Sequence, residues 1–269
     1  MSTPRWVRIA LRITTLAVLA FIYIPIGIII LYSFNASKVA TWPIQSFTID
    51  WYVDAFNDPG IRAALTASVE VGIGATVLSL ILGSLLALAV HRFGFFGREA
   101  IAFIVILPLA LPGIVTGLAL NTAFRAIGIE LGLLTIVIGH ATFCVVVIYN
   151  NAIARFRRTS RSFEEASSDL GADTFTTFRR VTFPAIRTAL VAGALLAFAL
   201  SFDEIIVTNF TSGAGIQTLP LWIFNHYQRP NQLPLVNVAA VLVLVISIIP
   251  VYAASRLTAD PASVAGSRS

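Results

Sequence analysis

The amino-acid sequence predicts an all-α integral membrane protein with six transmembrane helices and both termini in the cytoplasm. Of its 269 residues, 57% are hydrophobic and only 12% are charged, and the mean hydropathy is +0.87. An average soluble domain carries about 25% charged residues. The apolar residues also fall into separate runs, each close to the roughly 20 residues that a helix needs to cross the hydrocarbon core.

Six apolar runs are long enough to be transmembrane helices. They cover residues 13–33, 64–90, 100–124, 131–153, 189–209 and 235–254. An even number of spans places both termini on one side of the membrane. Most of the 18 Lys and Arg residues fall on that side, and only Lys38, Arg62, Arg125 and Arg229 fall on the other. Because basic residues near helix ends are retained in the cytoplasm, the termini and the loop 155–187 are expected to be cytoplasmic.

The first apolar run is predicted to be an uncleaved anchor. It follows a basic stretch, as a signal peptide does, but it exceeds the roughly 7 to 15 apolar residues of a cleaved signal. We therefore divide the chain into three parts. An anchor helix and an extracytoplasmic loop occupy 1–60, a core transmembrane domain containing the loop 155–187 occupies 61–257, and a flexible cytoplasmic tail occupies 258–269.

The third run contains two prolines about one helical turn apart, Pro108 and Pro112. Each removes a backbone donor, so the helix is expected to bend and to free carbonyl groups. Such carbonyls either line a water-filled cavity or are covered by neighbouring helices. The sequence does not decide between a cavity lining and a packing kink. Gly113 and Gly117 have the small-xxx-small spacing that lets a second helix approach closely, and Asn121 would extend a polar surface.

A polar, arginine-rich segment interrupts the apolar pattern at residues 162–184. Ser162 and Glu165 have the spacing of a capping box, which predicts that a short helix starts here. An apolar stripe along this helix is formed by Phe163, Ala166 and Leu170. Gly171 is expected to end the helix in a left-handed turn.

A second short helix is predicted directly after that glycine. Asp173 or Thr174 is its expected N-cap, and it should stop before Pro184, which cannot donate a backbone hydrogen bond. Two interpretations of the whole segment stay open. It is an amphipathic helix pair that lies on lipid headgroups, or a docking site for a protein outside the bilayer.

Three carboxylates lie within apolar runs, at Glu70, Asp203 and Glu204. A carboxylate at the centre of a membrane helix costs roughly 2.5 to 3.5 kcal/mol, so such residues usually have a task. They could contact a substrate in a transport pathway, cap a helix at the outer interface, or pair with a basic group of a partner subunit. Adjacent helical residues point about 100° apart, so only one of Asp203 and Glu204 is expected to face a pore.

Several observations exclude an enzyme active site. Lys38 is the single lysine and has no glycine-rich approach, so the chain has no phosphate-binding loop and any ATP must be hydrolysed elsewhere. His91, His140 and His226 are far apart in sequence and offer no metalloprotease motif; His140 is expected to be a packed core residue. Cys144 is alone, so neither a disulfide nor a metal site is predicted. Scattered arginines without aromatic platforms make nucleic-acid binding equally unexpected.

The polar segment resembles the EAA loop of ABC importer permeases. That pattern runs Glu-Ala-Ala, three residues, Gly, nine residues, then Ile-x-Leu-Pro, and the matching residues here are Glu165, Ala166, Ser167, Gly171, Val181, Phe183 and Pro184. The resemblance implies a type I permease fold and a coupling helix that sits in a groove of a cytoplasmic ATPase. The implied coupling residues are Phe163, Glu165, Ala166, Ser167, Leu170, Gly171, Ala172 and Pro184.

Three further runs are similar to the second, C-type permease of the spermidine/putrescine subfamily. They are 201–207, Thr218-Leu219-Pro220 and 107–113, although Gly113 stands where some relatives carry an acid. The resemblance implies a bacterial inner membrane permease for polyamines. Its implied partners are a homologous second permease, two ATPase subunits that hold ATP and Mg, and an extracytoplasmic binding protein. The implied pathway residues are Asp203, Glu204, Glu70 and Asn121.

Three other functions stay open at this point. One is a secondary transporter driven by an ion gradient, which would need no ATPase, and another is an ABC importer of a different small organic solute. The third is a membrane-embedded protease, for which Ser79, Ser84 and Ser201 show no local context of a nucleophile. The sequence also leaves open whether the permease pair is homodimeric or heterodimeric.

Overall fold

The computed structural model describes residues 4–94, 96–229 and 231–258. Within these ranges the regular structure is helical, apart from one isolated antiparallel bridge between Asn35 and Phe47. The helices are α1 (Arg5–Ser33), α2 (Asp50–Asn57), α3 (Pro59–Arg92), α4 (Arg98–Ala110), α5 (Gly113–Ala126), α6 (Leu133–Arg158), α7 (Ser162–Asp169), α8 (Thr174–Thr177), a π turn (Phe178–Thr182), α9 (Phe183–Phe202), α10 (Ile206–Thr211), α11 (Leu219–His226) and α12 (Leu233–Thr258). The predicted tail, apart from residue 258, lies outside the described residues.

Five helical stretches in the described ranges are long and apolar enough to cross a membrane, and a bent pair makes a sixth. They are Arg5–Ser33, Pro59–Arg92, Leu133–Arg158, Thr174–Phe202 and Leu233–Leu257, with α4 and α5 as the pair. These helices are rich in Leu, Ile, Val and Phe, because apolar side chains are favourable wherever a helix contacts lipid. The predicted all-helical membrane fold is confirmed.

The bend in the third span occurs at Pro112. Helices α4 and α5 meet at 105°, and Leu111 between them is extended. A residue before proline is driven out of the helical region because the proline ring collides with its backbone, so α4 has to end there. Pro112 then becomes the N-cap of α5, while Pro108 stays inside α4. The predicted bend is confirmed and is assigned to the second proline.

Helix α6 is the most enclosed of the long helices. Its fully buried residues include Cys144, Ile148 and Ala152. Two glycines permit close approach to Ile148: a Cβ at Gly83 of α3 would lie 2.8 Å from its Cβ, and one at Gly193 of α9 would lie 3.3 Å from its Cδ1. The backbones of α3 and α9 therefore both come close to α6 at Ile148, and α6 forms the centre of the core.

The two glycines of α5 create a second close contact. A Cβ at Gly113 would lie 3.4 Å from Ile206, and one at Gly117 would lie 2.8 Å from the ring of Phe210. Ile206 and Phe210 are one turn apart on α10, so matching turns of α5 and α10 meet at these positions. The predicted small-xxx-small packing surface is confirmed, and α10 is its partner.

The fifth predicted span, 189–209, is wrong in its limits. The apolar helix starts at Thr174, continues through the π turn and Pro184, and ends at Phe202. The predicted stop before Pro184 is also wrong, because the widened π turn immediately precedes the proline and gives its ring room in a continuous helix. At the other end, Asp203, Glu204 and Ile205 form a break before α10.

The contacts divide the chain into two compact units. One consists of residues up to Arg62 together with Trp222–Leu244, and the other of Ala63–Leu221 together with the chain from Val245. In the first unit the end of α1 is tied to α2: Ser33 Oγ hydrogen-bonds with Tyr52 Oη at 2.8 Å, and Trp51 Nε1 donates to the Asn35 carbonyl at 2.9 Å. The second unit contains α4 to α10, with the polar loop and the helix break.

The contact between α5 and α10 yields a stability prediction. Gly117→Val should destabilise the protein by about 1 to 3 kcal/mol, because the added methyl groups collide with Phe210 in a packed site. Gly27→Val is the matched control, since no atom lies within 4 Å of a Cβ at that position of α1. Thermal unfolding in detergent measures both variants. An equal melting temperature for Gly117→Val and wild type would contradict the packing assignment.

Candidate functional site

The polar loop is folded back by Gly171, whose φ is +84°. Its amide donates to the Ser168 carbonyl at 2.9 Å, and the Ala172 amide donates to the Ser167 carbonyl at 3.1 Å. These two bonds form a Schellman motif, which satisfies the last carbonyls of α7 and requires a left-handed residue. The predicted glycine turn is confirmed. It sets the angle between α7 and α8.

The start of α7 differs from the predicted capping box. Arg161 is the N-cap, and its carbonyl accepts from the Glu165 amide at 3.2 Å. The Ser162 hydroxyl hydrogen-bonds with the hydroxyl of Ser160 at 2.7 Å instead of capping the helix. The capping-box prediction is wrong because the Ser162 hydroxyl is bonded to the Ser160 hydroxyl. The Glu165 carboxylate therefore does not take part in a capping box.

The second N-cap prediction is confirmed at Asp173. Its carboxylate accepts from the Thr176 amide at 2.8 Å. This bonding with Thr176 favours the ionised form and lowers the pKa of Asp173 below its ordinary value. The negative charge lies beside the N-terminus of the helix that begins at Thr174, where the helix dipole also stabilises it.

The loop presents large apolar side chains to the surroundings. Phe163 is 62% exposed, Leu170 is 90% exposed and Phe175 is 69% exposed, and Phe163 also lines a pocket with Glu164 and Thr182. Glu165 and Ala166 are exposed on α7 as well. Exposed apolar side chains with polar neighbours mark surfaces that bind a partner or a membrane. Most of the predicted coupling residues are thus accessible.

The inner face of α7 is attached to the membrane helices by hydrogen bonds. Thr182 Oγ1 donates to Glu164 Oε1 at 2.5 Å, and the hydroxyls of Ser167 and Thr177 lie 3.0 Å apart. Glu164 Oε2 also lies 3.9 Å from Arg92 Nη2 at the end of α3. Sequence reasoning missed Glu164, because nothing in the local pattern distinguishes it from Glu165. Its partners are distant in sequence.

The π turn makes this attachment possible. Thr177 and Thr182 are both buried and are five residues apart. In an ordinary α-helix that separation rotates two side chains by roughly 140°. In a π turn the hydrogen bonds run from i to i+5, so residues five apart lie on nearly the same face. The turn therefore presents both threonines to α7.

The break after α9 carries two carboxylates with different surroundings. Glu204 Oε1 accepts from the Val207 amide at 2.8 Å, so this acid caps the N-terminus of α10. The Asp203 carboxylate is exposed, and it makes no hydrogen bond or ion pair with any part of the chain that the structure describes. The structure brings the two predicted acids together and gives only Glu204 a partner.

His140 of α6 is fully buried next to this break. Its Nδ1 lies 2.8 Å from Ser201 Oγ, and its Nε2 lies 2.8 Å from Thr208 Oγ1. Both ring nitrogens therefore have hydroxyl partners. The prediction of a packed, satisfied histidine is confirmed. The sequence could not show that its two partners lie on opposite sides of a helix break.

The other predicted pathway residues lie in different settings. Asn121 donates through Nδ2 to the Phe210 carbonyl at 2.5 Å and accepts from Arg125 Nε at 3.0 Å, so its amide fixes α5 to α10. Glu70 is exposed on α3, and within the described ranges it makes no hydrogen bond or ion pair with the break. It shares its face of α3 with the exposed side chains of Ile73 and Val77.

Metal ligands and thiol chemistry have no visible basis here. In the described ranges no three His, Cys, Asp or Glu side chains are grouped as ligands of one ion. The single cysteine, Cys144, is buried and its thiol lies 3.3 Å from the Ala197 carbonyl.

Comparison with known proteins identifies close relatives. The chain is 37% identical over 232 residues to the putrescine transport system permease protein PotI of Escherichia coli, covering 83% of this chain and 82% of PotI. It is 32% identical over 245 residues to the spermidine/putrescine transport system permease protein PotC of the same organism, covering 91% of this chain and 92% of PotC.

The fold also matches a solved transporter. The crystal structure of a bacterial ABC transporter involved in the import of the acidic polysaccharide alginate aligns with a TM-score of 0.74 at 18% identity, over 96% of this chain and all of the matched one. The model of a protein family, described as the binding-protein-dependent transport system inner membrane component, matches residues 79–259. This chain, a multi-pass inner membrane protein, therefore belongs to the family of binding-protein-dependent transport system inner membrane components.

Proposed function

We propose that this chain is the permease subunit of an ATP-driven importer of polyamines. The names of its relatives, a putrescine permease and a spermidine/putrescine permease, support this substrate class. The proposed complex adds a homologous second permease, two ATPase subunits that bind ATP and Mg, and an extracytoplasmic binding protein. This chain supplies no catalytic residue, and its termini face the cytoplasm according to the distribution of arginines.

The observation that carries the proposal is the two-faced loop at 162–182. Its exposed side chains include Phe163, Leu170 and Glu165, which fits insertion of the loop into a groove of the ATPase. Its inner face is bonded through Glu164 to Thr182 and lies against Arg92. A force applied to the loop therefore reaches the π turn through the hydrogen bond between Glu164 and Thr182, and reaches α3 through the ion pair between Glu164 and Arg92.

The same geometry gives a route from the loop to the helix break. The π turn continues directly into α9, and the helix from Thr174 to Phe202 contains 29 residues, a length of roughly 44 Å. It ends at the residue before Asp203. A tilt or rotation of this single rigid helix displaces the Asp203 carboxylate. ATP-dependent closure of the ATPase pair can in this way change the side of the membrane to which the helix break is exposed.

An unpaired carboxylate at a helix break suits a polyamine. A cation that leaves water needs replacement oxygen ligands, and a carboxylate supplies two. Backbone groups freed by the break are tolerated inside a membrane protein where they line a water-filled cavity. Asp203 is thus the proposed cation contact. Glu204 serves mainly as the cap of α10, and Asn121 supports α10 from α5.

A glycine substitution tests the coupling role of the loop. Gly171→Val forces a β-branched residue to a φ of +84°, which costs about 1 to 3 kcal/mol and rotates α7 relative to α8. The solute transported per ATP hydrolysed should fall by at least about tenfold, a loss of about 1.4 kcal/mol of coupling. Uptake and ATPase activity are measured together in proteoliposomes.

Gly128→Val is the control for that experiment. It imposes a similar penalty at a φ of +75° in the loop after α5, where a Cβ would likewise meet no atom. It should leave the transport stoichiometry unchanged. Unaltered stoichiometry in Gly171→Val would contradict the coupling assignment.

Two neighbouring glutamates should have separable roles. Glu165→Ala removes an exposed group and should weaken capture of the ATPase in a pull-down. Glu164→Ala breaks the bonds to Thr182 and Arg92, so it should retain the ATPase but lower uptake per ATP by about tenfold or more. The two variants are matched in side chain and position. Identical phenotypes in both assays would refute the division between an outer and an inner face.

The substrate proposal is tested on the complex purified in mild detergent and reconstituted with its binding protein. ATP should drive uptake of labelled putrescine or spermidine. Asp203→Asn should raise the concentration for half-maximal uptake by about 10- to 100-fold, because a charged hydrogen-bond partner of an ammonium is lost. Glu204→Gln keeps an oxygen for the Val207 amide and should have a much smaller effect.

Three outcomes would contradict this proposal. Uptake driven by a proton or sodium gradient without ATP would identify a secondary carrier. ATP-driven uptake of a neutral or anionic solute, but of no polyamine, would identify an importer of another class. Equal loss of uptake and of complex assembly in Asp203→Asn would assign that residue to folding.

A further inference from the structure

The helix break at 203–205 is held by an imidazole that connects its two sides. His140 contacts Ser201 in the last turn of α9 and Thr208 in the first turns of α10, each at 2.8 Å. All three side chains are at least 98% buried. The Asp203 carboxylate lies between the two contact points in sequence. This exposed group therefore lies between two residues that are joined by a buried bridge.

Other polar contacts of α6 follow the same line along α9 and α10. Thr135 Oγ1 donates to the Thr211 carbonyl at 2.7 Å, and the Cys144 thiol lies 3.3 Å from the Ala197 carbonyl. At Gly139 a Cβ would lie 3.0 Å from Val207, so the backbone of α6 approaches α10 directly beside the imidazole. His140 is the member of this series that bonds to both helices.

A neutral imidazole satisfies every partner in the bridge, whichever ring nitrogen carries the proton. Thr208 Oγ1 lies 3.1 Å from the Glu204 carbonyl, which can only accept. With the proton on Nε2, the Thr208 hydroxyl donates to that carbonyl and accepts from the ring, and Nδ1 accepts from the Ser201 hydroxyl. The chain of hydrogen bonds ends on the backbone of Glu204, next to Asp203.

We propose that His140 is a positioning residue for transport, which fixes the angle between α9 and α10 and so sets where the Asp203 carboxylate is presented. The inference rests on the proposed function, in which Asp203 contacts the cation. His140 does not touch the substrate in this assignment. Its loss removes the imidazole partner of the buried Ser201 hydroxyl and leaves the Thr208 hydroxyl with the Glu204 carbonyl, and the break then relaxes to satisfy Ser201.

Two amide variants divide the bridge into its halves. The amide of His140→Asn reaches the position of Nδ1 and can keep the Ser201 bond, whereas that of His140→Gln reaches the position of Nε2 and can keep the Thr208 bond. In the reconstituted complex each should raise the concentration of putrescine for half-maximal uptake by about tenfold, the value of one buried hydrogen bond. Maximal rate and ATPase capture should change little, because the coupling loop lies at the other end of α9.

Ser201→Ala and Thr208→Val make the test independent of losing the ring. Each removes one hydroxyl partner and should reproduce the effect of the variant that breaks the same bond. Thr142→Val is the matched control, since among the described residues its hydroxyl bonds only to the Gly139 carbonyl within α6. In an Asp203→Asn background, His140→Gln should have no further effect on half-maximal uptake. Wild-type values in His140→Gln and Thr208→Val would overturn the proposal, and so would an additive effect with Asp203→Asn.

A labelling measurement separates this inference from the substrate assignment. In Asp203→Cys, a cationic methanethiosulfonate reagent modifies position 203, while the buried Cys144 of the parent chain gives the background. Adding His140→Gln should change the rate at position 203 by about tenfold and leave that of a cysteine at the exposed Ile129 unchanged. An unchanged rate at 203 overturns the positioning role. A changed rate supports it even if polyamine uptake fails, in which case only the proposed substrate is wrong.

Discussion

Hydrocarbon cannot hydrogen-bond to a peptide group, so each interruption of a helix inside a membrane needs polar partners from the protein. In the described ranges, two breaks adjoin the apolar helices, at Leu111–Pro112 and at 203–205. The helices that follow them, α5 and α10, pack against each other, and the terminal carbonyls of α10 at Phe210 and Thr211 accept from Asn121 and Thr135. The two breaks thus support one another. The arrangement of α5, α6 and α10 follows from that requirement.

The same requirement explains why α9 can act as one mechanical element. Polar groups hold it at its ends: Thr182 and the π turn bond to the loop at one end, and Ser201 bonds to His140 at the other. From Ala189 to Leu200 its side chains are apolar, and it packs on α6 through small residues such as Gly193. Smooth apolar contacts resist sliding less than hydrogen bonds do, because their energy depends little on direction. On the proposed function, motion enters and leaves α9 at its two polar ends.

Features determined by one residue and its neighbours could be predicted from the sequence. The bend at Pro112, the left-handed turn at Gly171 and the cap at Asp173 all follow from local backbone chemistry. The inner role of Glu164 and the bridge at His140 could not be predicted, since their partners lie 18 and more than 60 residues away. The capping box failed for a related reason. Several hydroxyls compete within Ser160 to Ser162, and spacing alone does not decide which one is used.

Acidic pairs occur at both ends of the same helical path, and each pair is divided in the same way. At the loop, Glu164 is bonded inward and Glu165 is exposed; at the break, Glu204 caps α10 and Asp203 is exposed. Neighbouring residues on α7 point about 100° apart, and at the break Asp203 and Glu204 also have different surroundings, so one member of each pair satisfies the fold while the other is exposed. In each pair the hydrogen bond of one acid fixes the backbone next to the exposed acid. On the proposed function, the free acids are the groups that meet the ATPase and the cation, and the bonded acids make their positions depend on each other through α9.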